Sequence, residues 1–381
     1  THCDEGRLRF VHVPEITLRA NAYYNDAALS FLRTRLLFSE RPAKFMAERI
    51  LVAGGAGYIG SVVAAQLLAR GYEPVVYDDL SHGHRAALPQ SVRLIVGDIG
   101  DRAALDRTFS EVQPQAVMHF AAFIEAGESM QFPEKYFRNN TASALTLLEA
   151  VLAHKVSRFV FSSTAALYGT PEKTPIEETA PLHPTNAYGE SKLLVEQMLE
   201  WLHRIHGLRY ASLRYFNVAG AADEQGEDHH PESHLIPLAF QVALGTRKEF
   251  AIFGTDYPTP DGTCIRDYIH VSDLATAHLL VLEALKEKDR LIYNLGNGQG
   301  FSVHEVIETV RRVTGHPIPA KESPRRPGDP AVLVASSEKI KKELGWQPKF
   351  ADLENIVRSA WEWRKAHPRG YAPNRSATNL S

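Results

Sequence analysis

Short, uninterrupted apolar runs alternate with amphipathic stretches from residue 49 onward. The runs lie at 49–53 (RILVA), 74–78 (PVVYD), 93–96 (RLIV), 116–120 (AVMHF), 158–162 (RFVFS) and 209–214 (RYASLR). Each is too short for a stable helix, and most are rich in β-branched or aromatic residues, so they read as strands. Strands apolar on both faces belong to a parallel sheet covered on each side. Between them the spacing turns helical, at 61–70, 101–111 and 133–154, with a longer amphipathic helix at 187–206. Gly71 follows the first of these in the usual stop position. The alternation predicts an α/β fold, a doubly wound parallel sheet with right-handed crossovers.

After Asn217 the texture changes. The stretch 220–231 is polar and rich in Asp, Glu and His, which predicts an exposed loop. Beyond it come shorter elements separated by Pro and Gly, notably at 257–262 and 323–330, the pattern of a smaller domain closing over the first. The expected organisation is a cofactor domain over 46–216 and a substrate domain over 217–371, with segments returning to the first. Residues 1–45 show no strand–turn–helix logic and read as an accessory extension without assigned function, ahead of a functional chain beginning near Met46. Residues 372–381 are expected to be a disordered tail.

Composition changes this picture little. A chain of 381 residues with 44% hydrophobic and 23% charged positions is long and apolar enough for a large core. A net charge of -3 gives no electrostatic reason to expect nucleic acid or an anionic membrane as partner. No apolar run reaches the ~18–20 residues that cross a bilayer. Two cysteines, Cys3 and Cys264, are too few for a disulfide framework and suit a reducing cytoplasm.

Candidate chemistry begins where the first strand ends. Gly54, Gly57 and Gly60 have the spacing G-x-x-G-x-x-G between a strand and a helix. The first glycine permits the tight turn, the second the approach of a pyrophosphate, and the third close helix–strand packing, with phosphates at the helix N-terminus. This is the Rossmann-like dinucleotide turn. Asp78 ends the second strand, where a carboxylate holds a ribose 2′-hydroxyl and repels a 2′-phosphate, so the expected cofactor is NAD. Asp98 and Ile99 follow the third strand and suit an adenine pocket, although Asp98 also has the position of a helix cap. Asn139 is placed either to touch the cofactor or to satisfy backbone.

Tyr188 and Lys192 lie four residues apart on the long helix and so share one face. A free tyrosine has a pKa near 10, too high for a base at neutral pH. The lysine ammonium and a cationic nicotinamide are expected to lower it, letting Tyr188 take a proton from a sugar hydroxyl. Thr164 closes the run 162–164 (SST) and supplies a hydroxyl that orients the substrate oxygen.

These residues resemble the extended short-chain dehydrogenase/reductase superfamily and, within it, the UDP-glucose (UDP-galactose) 4-epimerases. The resemblance runs from about residue 50 to 371. It rests on 52–61 (VAGGAGYIGS), 119–122 (HFAA), 161–164 (FSST), 213–217 (LRYFN), 261–271 (DGTCIRDYIHV), 293–296 (YNLG) and 325–329 (RRPGD) in that order. It implies that Tyr188 is the base, Lys192 its electrostatic partner, and tightly held NAD the acceptor of a C4 hydride that later returns to the other face of a 4-keto sugar. It adds Tyr58, Ile59, Phe120, Ala121, Ser162, Tyr215 and Phe216 to the cofactor set, with Phe216 also lining the sugar pocket. Asn217, Arg266, Arg326 and Asp329 would hold UDP, by arginine–phosphate pairing, with Leu235 beside them and Ala251 and Phe253 flanking uracil. It also implies a homodimer; the spacing of the sequence itself suggests no metal site.

Three positions depart from the pattern. Ile124 stands where some relatives have lysine, His234 where asparagine is frequent, and Leu333 near a position where a bulky tyrosine excludes N-acetylated sugars. The smaller leucine opens a second reading, epimerisation of UDP-N-acetylglucosamine. A 4,6-dehydratase is disfavoured because Ala165 and Ala166 follow Thr164 where such enzymes carry an Asp-Glu pair. A decarboxylase is disfavoured by the lack of an arginine-rich provision for a C6 carboxylate. A non-catalytic NAD sensor predicts erosion of Thr164, Tyr188 and Lys192, all of which are present. His229 and His230 lack metal-site spacing and are expected to be solvated.

Overall fold

The computed structural model describes residues 47–326 and 329–371; the extension 1–45 and the tail 372–381 expected from the sequence lie outside the described residues. Thirteen strands are described: β1 (Arg49–Ala53), β2 (Glu73–Asp78), β3 (Arg93–Val96), β4 (Ala116–His119), β5 (Arg158–Thr164), β6 (Arg209–Tyr215), β7 (Asn217–Ala219), β8 (Phe250–Phe253), β9 (Ile265–His270), β10 (Arg290–Leu295), β11 (Gly300–Ser302), β12 (Ala320–Ser323) and β13 (Val332–Leu333). The longer helices are α1 (Tyr58–Ala69), α2 (Arg102–Val112), α3 (Ser143–Ala153), α4 (Ala187–His206), α5 (Leu235–Ala243), α6 (Val271–Ala284), α7 (Val303–Thr314) and α8 (Leu353–Ala366).

Seven strands form one parallel sheet in the order β10-β6-β5-β4-β1-β2-β3. Alternate residues of each strand point to opposite faces, which explains the continuous apolar runs. Ile50, Val52, Val76, Met118 and Val160 pack under α1 and α6 on one face. Leu51, Val75, Val117, Phe159 and Phe161 pack under α2, α3 and α4 on the other. Both α6 and the edge strand β10 come from the C-terminal half, so that half completes the first sheet as well as building its own layer. In that layer β9 pairs with β7, β11 and β13, and β8 with β12, beside a core shared by α5, α7 and α8.

The long helix spans the predicted 187–206 because both ends are marked. Asn186 accepts from the Gly189 amide at 2.8 Å, and Gly207 stops the helix at φ 69°. The single helix expected over 133–154 is divided. Pro133–Tyr136 passes into a π turn, Phe137–Ala142, before α3 begins. The wider turn brings Asn140 inward, where it accepts from Phe123 N and donates to Phe123 O, both at 2.9 Å, and donates to Ser191 Oγ at 3.1 Å.

The loop expected to be exposed over 220–231 is largely buried, with Gln225, Glu227 and Asp228 inside. Its partners come from the chain's far end. Tyr371 N donates to Asp228 Oδ2 at 2.8 Å, Trp363 Nε1 to Glu224 O at 3.1 Å, and Arg364 Nη2 to Glu227 O at 3.0 Å. On its other side Tyr58 Oη donates to Gly220 O at 2.6 Å.

Candidate active site

The carboxyl ends of the parallel strands deliver residues to one cleft, as the point where strand order reverses between β1 and β4 would place it. The cleft encloses about 420 Å³, within the range of small-molecule sites. Its lining includes Gly54, Gly57, Tyr58, Ile59 and Gly60 after β1, Asp78 at the end of β2, and Asp98 and Ile99 after β3. Phe120, Ala121, Asn139, Ser162, Thr164, Tyr188, Lys192, Tyr215, Phe216, Asn217 and His234 complete the sequence-predicted part.

The three glycines differ in what requires them. Gly54 has φ +77°, and a Cβ there would lie 2.2 Å from Ala121 N. At Gly60 a Cβ would lie 2.3 Å from Gly54 O. At Gly57 it would meet only Gly54 O, at 3.5 Å. The protein therefore does not itself demand a glycine at 57, and the space before it belongs to whatever binds against the turn. Gly57 is also the N-cap of α1, with no side-chain cap and no acid in the first turn. An uncapped, partly positive helix end facing a cleft fits a dinucleotide pyrophosphate.

Asp78 both lines the cleft and braces the turn. Its Oδ2 accepts from Ala56 N and its Oδ1 from Leu80 N, each at 2.9 Å. Burial pushes its pKa up against the pull of these amides. Asp98 accepts from Gly100 N at 2.7 Å, with Ile99 buried beside it, whereas the cap of α2 is Asp101, which accepts from Ala104 N at 3.0 Å. Asn139 donates to Asn140 Oδ1 at 3.0 Å.

Tyr188 and Lys192 point into the cleft's inner end from α4. The Tyr188 hydroxyl hydrogen-bonds the Thr164 side chain, which also accepts from Ala166 N at 3.1 Å. Lys192 Nζ donates to Ser162 O at 2.9 Å and lies 4.9 Å from the Phe161 ring centre. The lowering expected of Tyr188 joins the lysine ammonium to a cationic nicotinamide, and the polypeptide alone does not produce it. Burial pushes the phenol up to about 12, with the Thr164 hydrogen bond opposing and Glu125 adding to it. Burial alone brings Lys192 down to about 7. The polypeptide by itself favours the uncharged form of Tyr188, because desolvation dominates its surroundings.

Several residues of this region escaped sequence reasoning. Glu196, one turn beyond Lys192, is buried and accepts from Ser163 Oγ at 2.6 Å and from Arg214 at 2.6–3.2 Å, fastening α4 to β5 and β6. Its signal was an acid repeating the Tyr188–Lys192 spacing on the same face. His119 is buried behind Lys192, and burial and then the lysine charge push it down to about 3. Tyr77, Ser81, His82, Phe123, Glu125, Glu227 and His229 also line the cleft.

The other predicted substrate residues gather outside that lining. Arg266 on β9 forms an ion pair with Asp329. The Arg326 guanidinium lies 4.1 Å from the Phe253 ring centre on β8, the strand that also carries Ala251. Leu333 is in register with Arg266 and packs near Phe216 and Tyr168, while Leu235 opens α5. His234 caps that helix, its Nδ1 2.9 Å from Glu227 Oε1 and 3.0 Å from Glu232 Oε1. Burial opposes charge on His234, yet the two carboxylates outweigh it and hold its pKa well above the usual value. His229 is not solvated as expected: its side chain is 17% exposed and 3.3 Å from Glu227, whereas His230 is 76% exposed.

Residues 50–296 match the model of the NAD dependent epimerase/dehydratase family. The chain is 54% identical over 326 residues to a UDP-glucose 4-epimerase of Halalkalibacterium halodurans, covering 85% of this chain and 97% of that one. A UDP-glucose 4-epimerase from Brucella ovis solved in complex with NAD superposes with a TM-score of 0.80 at 46% identity, over 83% of this chain and 98% of that one. One from Bifidobacterium longum, in complex with NAD+ and UDP, gives 0.82 at 39% identity, over 85% and 100%. With a parallel sheet, a glycine turn and a Thr–Tyr–Lys set at one cleft, the chain belongs to the NAD-dependent epimerase/dehydratase family.

Proposed function

We propose that this chain interconverts UDP-glucose and UDP-galactose through a 4-keto sugar, without net oxidation. The observation that carries this reading is the convergence of Thr164, Tyr188 and Lys192 at the inner end of a cleft that also exposes the Gly57 turn. The 54% identical relative bears the same activity in its name. Bound NAD supplies the hydride acceptor and donor and, in its oxidised form, a positive charge near Tyr188.

Residues of this chain do the rest. Tyr188 takes the proton of the sugar C4 hydroxyl and returns it, with Thr164 orienting the same oxygen. Lys192, tied to the Ser162 carbonyl, presents its ammonium to the nicotinamide ribose. The burial that holds Tyr188 up at about 12 makes its use as a base depend on positive charge beside it. Gly57, Asp78, Asp98, Ile99 and Asn139 form the cofactor wall. Asn217, Arg266, Arg326 and Asp329 hold the diphosphate and uridine, the arginines by forked charge-assisted hydrogen bonds, with Ala251 and Phe253 against uracil. In this division residues 46–216 carry the cofactor and 217–371 the substrate, with β10 and α6 returning to the first sheet. Ala165 and Ala166, placed after Thr164, have no proton to exchange, which argues against dehydration.

A homodimer and a cytoplasmic setting complete the reading. Exposed Leu145 on α3 and Trp201 and Ile205 on the adjoining α4 support a paired helical surface. Among the described residues no helix is long and apolar enough to cross a membrane.

Incubation of the NAD-replete protein with UDP-galactose, followed by chromatography, tests the activity; failure of UDP-glucose to appear refutes it. A second reading, admission of UDP-N-acetylglucosamine, rests on Leu333 beside Phe216. A parallel incubation decides it by the presence or absence of UDP-N-acetylgalactosamine.

A further inference from the structure

The loop that leads into α5 brings four metal-binding side chains together. One ligand atom from each of Glu227, His229, Glu232 and His234 lies within 4.8 Å of all the others. Three of the separations are 2.9, 3.0 and 3.3 Å. A tetrahedral ion with bonds of about 2.0–2.2 Å has ligand–ligand edges of roughly 3.3–3.6 Å, so small movements of these side chains close the shell.

Two further observations point to a ligand rather than to an ion cluster complete in itself. Glu232 Oε2 is buried without a hydrogen-bond partner, although its side chain is only 5% exposed. His229 Nδ1, also buried, lies 3.3 Å from Glu227 Oε1 without a well-formed hydrogen bond. Buried polar atoms are rarely left unpaired, and such gaps call for an explanation.

We propose that Glu227, His229, Glu232 and His234 bind one divalent transition-metal ion of the Zn²⁺ class, which fastens the 227–234 loop to the start of α5. Two imidazoles and two carboxylates suit that ion by donor type, and the two negative charges balance it in a region with little water. Glu227, His229 and His234 all line the cleft, which provides the way in. The loop is already held around the site, by Arg364 Nη2 donating to Glu227 O at 3.0 Å and by the Tyr58 ring at 6.4 Å from that of His229. Sequence spacing did not suggest this site, because two of the four ligands are carboxylates in an acidic stretch.

The test uses the full chain free of any affinity tag, stripped with a chelator and titrated with Co²⁺ in the absence of nucleotide sugar. The expected result is saturation at one Co²⁺ per chain, with the intense visible absorption of four-coordinate cobalt, and its displacement by Zn²⁺. Zinc should also raise the melting temperature in a concentration-dependent way. The double variant His229→Gln/Glu232→Gln should bind at least about 100-fold more weakly, whereas His230→Gln, altering an exposed ring outside the cluster, should bind normally. Absence of saturable binding to the wild-type chain, or equal binding by the double variant, overturns the proposal. Should the double variant not fold, anomalous diffraction from zinc-soaked wild-type crystals decides, and an ion located elsewhere on the chain overturns it. Because no step uses UDP-sugar, this outcome is independent of the proposed epimerase activity.

Discussion

At Lys192 an ammonium is carried into a site where the Ser162 carbonyl accepts its hydrogen bond and burial dominates its acidity. Its folded value of about 7 lies below the ordinary 10.5. Between those values the unfolded chain binds more protons than the folded one, so stability rises with pH across that window. Below pH 7 the whole penalty of burying the charge is present. Lys192→Met removes that penalty and is expected to melt above the parent at pH 6, with the gap closing as pH rises through 7 towards 10.5; a gap constant across that range would contradict the assignment. The same variant loses activity, so stability and function oppose each other at this residue. For Tyr188→Phe, which keeps the ring and removes the proton-transferring hydroxyl, turnover should fall by about 10²–10⁴-fold with bound NAD retained. Near-normal turnover would remove Tyr188 from the role of base.

The glycine turn with α1 permits a cleaner separation of folding from binding. Gly60→Ala places a methyl group 2.3 Å from a carbonyl oxygen and should cost about 1–3 kcal/mol in denaturant unfolding. Gly57→Ala has room within the protein and should change stability by less than about 0.5 kcal/mol. Its NAD affinity should nevertheless drop, as calorimetric titration would show; unchanged affinity would mean that no phosphate lies against residue 57. What was legible in the sequence follows from the same physics. β1, β2 and α4 could be read closely because two-sided burial and end-capping leave local marks. The break at Asn140 could not, since it exists to serve Phe123 and Ser191, 17 and 51 residues away. The positions of Tyr188 and Lys192 were legible but their acidities were not, because a spacing rule carries no information about desolvation. The 220–231 loop read as exposed because its partners lie more than 130 residues later.

Across the whole molecule, that loop is where the segment after α8 and the glycine helix meet at the cleft. Asp228, 3% exposed at its side chain, accepts from Tyr371 N and has His84, His230 and Arg364 within 3.4–3.8 Å. Tyr371 Oη accepts from Gly226 N at 2.9 Å, so the loop and the segment after α8 hold each other through both side chain and backbone. The adjacent Glu227 and nearby His234 line the cleft, and Tyr58 ties the loop to the glycine helix. Asp228→Ala deletes an acceptor whose Tyr371 amide and Arg364 guanidinium partners stay behind, largely buried. Breaking a buried pair in this way costs about 3–5 kcal/mol, and urea unfolding should show a loss of that size. Because the loop also carries the wall of the cleft, KM for UDP-galactose should rise more than kcat falls. Tyr371→Phe removes only the hydroxyl at Gly226 and should cost about 1–2 kcal/mol. The double variant should lose less than the sum, since both changes release the same segment. Strict additivity, or a loss below about 1 kcal/mol for Asp228→Ala, would show that the loop holds its shape without the chain's far end, and would separate the cleft wall from the C-terminal helix.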